Sequence, residues 1–163
     1  MDVLVSDICI LIDLERGGLQ DLAFPAGHRW LIPDLLYATE LAAWSGPAWL
    51  RRGLQVVELS AEETATAQRH FHQRRSVSIN DCAALAISLH RHWTLCTGDA
   101  ALRQLALEHH LPCHGVLWIV ELAGLCGTDC VALDQGLRRL LQHPRCRLPV
   151  TEAEALLRRL MGA

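Results

Sequence analysis

The chain has 163 residues, 51% of them apolar, and its 15 basic and 18 acidic side chains give a formal charge of −3. That length suits one domain with a core of its own. No window reaches the roughly 18 uncharged apolar residues of a membrane span, and the near-neutral balance excludes the broad basic field that would announce nucleic acid from composition alone.

The seven cysteines form no CxxC pair. Cys9, Cys82 and Cys96 lie inside apolar runs, as small core residues do, so reduced thiols are expected. Cys126 and Cys130, with Cys113, His114, His143 and Cys146, match no common zinc spacing. Every basic side chain other than histidine is arginine, a group that grips phosphate through two parallel N–H donors. The start, Met1 to Asp7, enters a strand pattern with no basic leader, which gives the expectation of a soluble, cytoplasmic protein.

Taken in order, Val3–Ser6 reads as a short buried strand with Asp7 at its end, a costly place for a carboxylate unless something uses it. Ile8–Asp13 either continues the strand or turns into a helix, and Gly17-Gly18 marks a turn, with Asp13 and Glu15 expected at the surface near it. His28–Pro33 is a second strand. Asp34 starts a helix over Leu35–Trp44, stopped by Ser45-Gly46-Pro47. The apolar face of that helix runs Leu36, Tyr37, Leu41, Trp44, with Glu40 in its middle. A carboxylate there is expected to meet a metal, or else an arginine in a buried salt bridge, because it is costly alone.

Leu54–Leu59 is a third strand, and Ser60 to Glu63 is a capping box opening a helix to about Gln73. This helix ends in His70-Phe-His-Gln-Arg-Arg75. Ser78, with Asp81 three residues on, has the spacing of an N-cap and its reciprocal acid, and opens the helical run Cys82–His90. Trp93–Cys96 is a fourth strand. Asp99 follows it and begins the helix Ala100–Leu107. Leu111–His114 is a fifth strand, and Gly115–Ala123 an apolar helix. Thr128-Asp129 starts a further helix reaching His143, and Thr151 to Glu154 reads as a second capping box before a last helix, Ala155–Leu160. Five short strands alternating with helices predict an α/β fold: a three-layer α/β/α sandwich on a five-stranded parallel sheet. The whole of 1–163 is one domain, with a core of about 1–125 and a helical C-terminal extension of about 126–163.

In such a sheet Asp7, Asp81 and Asp99 stand at element ends along the carboxyl edge, where open α/β sheets bind ligands. Each alone reads equally well as a helix cap. With Glu40 they form four carboxylates that would raise one another's pKa and stay ionised only with cations among them. A ligand set of oxygen alone points to Mg²⁺ or Mn²⁺.

The order of Asp7 closing the first strand, Glu40 in Pro33-Asp-Leu-Leu-Tyr-Ala-Thr-Glu-Leu41, Asp81 in Ser78-Ile-Asn-Asp-Cys-Ala-Ala-Leu-Ala86 and Asp99 in Cys96-Thr-Gly-Asp-Ala-Ala-Leu-Arg103 resembles the PIN-domain nucleases, which include the VapC-type toxins. The resemblance covers roughly residues 1 to 125. It implies a Mg²⁺- or Mn²⁺-dependent endoribonuclease cutting single-stranded RNA, with Asp7, Glu40, Asp81 and Asp99 as catalytic metal-binding acids. Thr97 would orient the last acid or a bound water, Ser78 would support Asp81, and Arg74, Arg75 and Arg103 would form a basic rim for RNA. It also implies partners: RNA, an antitoxin protein, and a second copy of the chain in a homodimer. The chain departs from the family after Asp7, where Ile8 and Cys9 stand in place of small polar residues.

Three other classes compete, one of them a dimeric interaction module, which exposed tryptophans on the late helices would favour without excluding catalysis. Receiver-type and haloacid-type phosphoryl folds also place acids at the sheet edge, but they rely on a basic residue, usually lysine, which this chain lacks, and they give no reason for Glu40. A non-catalytic RNA-binding or scaffold protein on the same fold would keep the acids for structure only.

Overall fold

The computed structural model describes residues 3–22, 24 and 28–162, so the Met1-Asp2 start of the expected leaderless terminus lies outside the described residues. The first strand, β1 (Val3–Ser6), runs into a helix, α1 (Ile8–Gly17), which resolves the two possibilities for Ile8–Asp13. Asp7 makes the switch. Its backbone is extended, and its carboxylate accepts the N–H of Ile10, the N-cap bond that satisfies a first-turn donor. Gly18, at φ 66°, ends α1 in the left-handed region, which a glycine enters without a Cβ penalty.

The remaining elements are β2 (Arg29–Pro33), α2 (Asp34–Leu36), α3 (Gly46–Arg51), β3 (Gln55–Val57), α4 (Ala61–Gln73), α5 (Ile79–Arg91) and β4 (Thr94–Cys96). They are followed by α6 (Ala100–Glu108), β5 (Cys113–His114), α7 (Val116–Leu125), α8 (Cys130–Gln142) and α9 (Val150–Leu160). Among the described residues the sheet is five-stranded and parallel throughout, in the order β3-β2-β1-β4-β5, with helices on both faces. The expected α/β sandwich is therefore the observed architecture. No helix of the described residues is long and apolar enough to cross a membrane.

The strand pleat explains the two layers. Successive side chains point to opposite faces, so Leu4 and Cys96 enter one core while their neighbours Val5 and Leu95 enter the other. The second core is built on α5, where Cys82 to Ile87 are all fully buried and three alanines let the helix lie close to the sheet. The first core joins α1 and α7 to Leu133, Leu137 and Leu140 of α8 and to Leu156 and Leu157 of α9. The C-terminal helices thus share the main core. Gly17 and Gly136 set the α1–α8 approach: a Cβ on Gly136 would lie 2.3 Å from Leu19 Cδ2 and 3.1 Å from the Gly17 carbonyl oxygen.

Two local expectations change. The helix predicted over Leu35–Trp44 is one short turn followed by a π-helical turn over Tyr37–Leu41, closed by the Ala42 N–H donating to Tyr37 O at 2.8 Å. The extra residue in that turn breaks the 3.6-residue phase, so Glu40 is exposed and Trp44 is 84% exposed rather than on a packing face. The last helix begins at Val150 after Pro149 with no side-chain cap, so Thr151 lies inside its first turn and the expected capping box is not formed. The box at Ser60 and Glu63 is formed.

Candidate active site

The sheet order places the topological switch between β1 and β4, the strands from which connections leave in opposite directions. In open α/β sheets the crevice beyond the carboxyl ends of such a pair is the ligand site. Here it holds Asp7 and Asp99.

Asp7 is fully buried. Its N–H donates to Cys96 O at 3.0 Å, which extends the β1–β4 ladder by one rung. Its Oδ1 accepts from Ile10 N–H at 3.0 Å, and its Oδ2 accepts from the Thr97 hydroxyl. Thr97, also fully buried, accepts in turn from the Asp99 N–H at 2.9 Å. One hydroxyl therefore fixes the first acid and the backbone of the last. Asp99 caps α6, with Oδ1 accepting from Leu102 N–H at 2.8 Å, and its side chain is half-buried.

Asp81 lies in the first turn of α5, half-buried, where its N–H donates to Ser78 Oγ at 3.1 Å. The Ser78 hydroxyl proton goes to Asp81 Oδ2 at 2.7 Å, so the acid takes the hydroxyl rather than the cap backbone. Glu40 comes to the same place by a different route. Asn80 donates from Nδ2 to Glu40 Oε1 and, at 3.0 Å, to Thr39 Oγ1, which ties the π-helical turn to the first turn of α5. Asn80 is a site residue to which sequence reasoning gave no role. The neighbouring Asp81 drew the attention, and nothing in the spacing ties an asparagine to a glutamate forty residues away.

The electrostatics of the four acids are linked. Burial pushes the Asp7 carboxyl up to about 7, and the charges of Asp81 and Asp99 add to the rise, against the pull of the Thr97 and Ile10 hydrogen bonds. Burial also raises Asp81, and the charges of Asp99 and Glu40 act in the same direction. Among the described residues none of the four acids has an ion-pair partner. Cys9, two positions after Asp7, is driven up to about 12 by burial and the surrounding acids, so its thiol keeps its proton and adds no charge.

A cleft of about 840 Å³ opens over Asp99 and is lined also by Cys9, Asp13, Arg16, Arg145 and Arg147. Asp13 was expected near a surface turn. It is half-buried on α1, bonded to Arg16 at 3.2 Å, with its carboxyl raised by burial. The cleft arginines come from α1 and from the segment between α8 and α9, positions the motifs did not single out.

The expected basic rim is placed differently. Arg74 pairs with Glu108 at the end of α6, nine residues and so about 13 Å along the helix from Asp99. His70, at the end of α4, packs edge-on against His109 at 4.8 Å, also at that far end. Arg75 is exposed three residues before Ser78. Arg103 turns inward, donating to Thr97 O at 2.7 Å, and needs Gly115 beside it, where a Cβ would stand 2.9 Å from Nη2.

Among the described residues no group of three or more His, Cys, Asp or Glu is drawn together closely enough to hold a metal ion. The donor chemistry of Asp7, Glu40, Asp81 and Asp99 nonetheless suits a hard divalent cation: carboxylate and hydroxyl oxygens, with no ion pair to any of the four acids among the described residues although Arg16, Arg145 and Arg147 line the cleft. No protein-family model, no curated protein and no solved structure matches this chain.

Proposed function

We propose that the chain is a Mg²⁺- or Mn²⁺-dependent ribonuclease that cuts single-stranded RNA, as the resemblance to PIN-domain nucleases implies, with a toxin of a toxin–antitoxin pair as its biological form. The observation that carries this is Asp7: a fully buried carboxylate at the switch point of a parallel sheet, with two further acids raising its pKa and no ion-pair partner among the described residues. A helix cap has no need of that burial or of those neighbours, since Asp129 caps α8 from an exposed position.

Asp7, Asp81, Asp99 and Glu40 would hold the ion. When bound, Mg²⁺ or Mn²⁺ supplies Lewis acidity, polarising a phosphate and making water a stronger nucleophile. The chain's own parts do the rest. Thr97 locks the Asp7 carboxylate and the Asp99 backbone in one orientation, so neither acid has to reorganise. Asn80 holds Glu40 beside Asp81. Asp7 carries a proton part of the time near neutrality and would have to give it up to hold a cation. Arg145 and Arg147 line the cleft beside Asp99 and would meet the RNA backbone.

The test is Mn²⁺ titration followed by cleavage of a labelled single-stranded RNA. Wild type is expected to cut only with the metal. Asp99→Asn is expected to lose more than the roughly 100-fold that removing an outer-shell partner costs. Equal cleavage by Asp99→Asn, or none by wild type, overturns the proposal. The second reading, a non-catalytic RNA-binding protein on the same fold, draws on the absence of a ready three-ligand group among the described residues. It predicts RNA binding that is indifferent to Mn²⁺.

A further inference from the structure

Beside the cleft over Asp99 lies a second cavity, of about 510 Å³, between α6, α7 and the chain leading into α9. The two spaces share Asp13, Gly98, Ala100 and Arg147, so they meet at the loop that carries Asp99. The second cavity differs in chemistry. His114, at the end of β5, and Trp118, in the first turn of α7, stack with ring centroids 4.1 Å apart and planes 11° apart, and both line it. Arg103 and Gln104 face it from α6, and Arg147 faces it from the far wall.

We infer that this cavity is a subsite for one unpaired nucleobase of the RNA, packed against the His114–Trp118 aromatic pair, with the adjoining phosphate held by Arg147 on the way to the acids. Three features carry the inference. The volume falls in the range that encloses a small organic ligand. An aromatic platform beside an arginine is how proteins hold single-stranded nucleic acid, because every base has a face to stack whereas a duplex keeps its bases covered. Arg147 belongs to both spaces, which gives the backbone a continuous route from base to cleft. Gln104 is exposed and offers an amide donor and acceptor to a base edge. Burial and the nearby Arg103 hold the His114 imidazole below its usual pKa, which favours its neutral, stacking form.

The inference rests on the acidic cleft being where RNA is cut. It is tested by fluorescence anisotropy with a labelled eight-nucleotide RNA in EDTA, so that nothing is cleaved. Trp118→Leu is expected to weaken binding about tenfold, the scale of one lost base-stacking contact. The same oligonucleotide made abasic throughout should bind wild type about as weakly as the intact one binds Trp118→Leu, and Trp118→Leu should weaken it no further. That abasic measurement on wild type stands even if the variant fails to fold, and His114→Leu supplies an independent substitution. A duplex of the same sequence should not distinguish wild type from Trp118→Leu. Wild type binding the abasic and intact strands equally, or both variants binding within twofold of wild type, overturns the subsite. If wild type then still cuts RNA with Mn²⁺, only the subsite falls; if it neither binds nor cuts a single strand, the nuclease reading falls and takes the subsite with it.

Discussion

Replacing Asp7 by asparagine should stabilise the metal-free protein at high pH and destabilise it slightly at low pH. Folding moves the Asp7 carboxyl from its ordinary 3.8 up to about 7. A group whose folded pKa is raised contributes stability that is complete below the unfolded value and is lost as pH rises to the folded one. Below pH 4 both states hold the proton, between 4 and 7 only the folded state does, and above 7 neither does. Wild type therefore gives up about 4 kcal/mol of stability across that window, at about 1.4 kcal/mol per tenfold change in proton affinity.

Asparagine does not titrate, so it avoids this loss. It keeps an oxygen for the Ile10 N–H, but it presents an amide N–H₂ to Thr97, whose hydroxyl proton then loses the carboxylate oxygen it donates to. The mismatch costs about 1 kcal/mol. The net expectation is a gain of about 3 kcal/mol at pH 8 and a loss of about 1 kcal/mol at pH 4. For a chain of this size each kcal/mol is about 2–4 °C in Tm, so Asp7→Asn melts about 6–12 °C higher at pH 8 and about 2–4 °C lower at pH 4. The assay is thermal unfolding followed by circular dichroism in chelator at both pH values. Adding Mn²⁺ at pH 8 should raise wild type and narrow the gap, because a cation bound only to the folded state stabilises it. A Tm shift of the same sign and size at both pH values would refute the buried-charge account of Asp7.

Thr97→Val should lower Mn²⁺ affinity and RNA cleavage about 10- to 100-fold, with Thr97→Ser restoring most of both; a valine variant that binds Mn²⁺ like wild type would remove the hydroxyl from the site. Gly136→Ala places its Cβ 2.3 Å from Leu19 Cδ2, with the Gly17 carbonyl behind it at 3.1 Å, and should cost about 1–2 kcal/mol in urea unfolding after the gain in helix propensity is counted. Arg91 holds Glu63 below the usual carboxylate range through its hydrogen bonds. That stability is present above the unfolded value of 4.5 and lost as pH falls through the folded one. Arg91→Met should therefore cost about 1–3 kcal/mol at pH 7 and much less at pH 3, and an equal cost at both would rule the ion pair out as the cause.

The parallel sheet and three of the acids were legible because each leaves a local mark. A short apolar run ending in Asp, or Ser followed three residues later by Asp, is both a cap signal and a position at the carboxyl edge, and the structure puts Asp7, Asp81 and Asp99 there. Glu40 was found for a reason that does not hold. It seemed buried only on a 3.6-residue period, and the π-helical turn, which hydropathy does not reveal, instead carries it to the surface and into the reach of Asn80. The cleft walls left no sequence signal at all. Asp13 looked like a turn residue, and Arg145 and Arg147 sit in a proline-flanked connection whose position depends on α8 docking against α1. The C-terminal helices read as an appendage because their leucines follow an ordinary amphipathic pattern, which says that a face is buried but not against what.

The Thr97 hydroxyl joins residues that are 90 positions apart, and this has a consequence for the order of events during synthesis. β1 is complete when the chain has barely begun, yet its neighbour β4 arrives only after α5 has been made. Until then Asp7 has neither the Thr97 hydroxyl nor the Cys96 carbonyl that fix its place, and no shorter piece of the nascent chain pairs Asp7 with Asp99. The closing of the β1–β4 pair is a long-range step of the slow kind. Whatever chemistry the cleft performs is thereby withheld until translation has passed the centre of the protein.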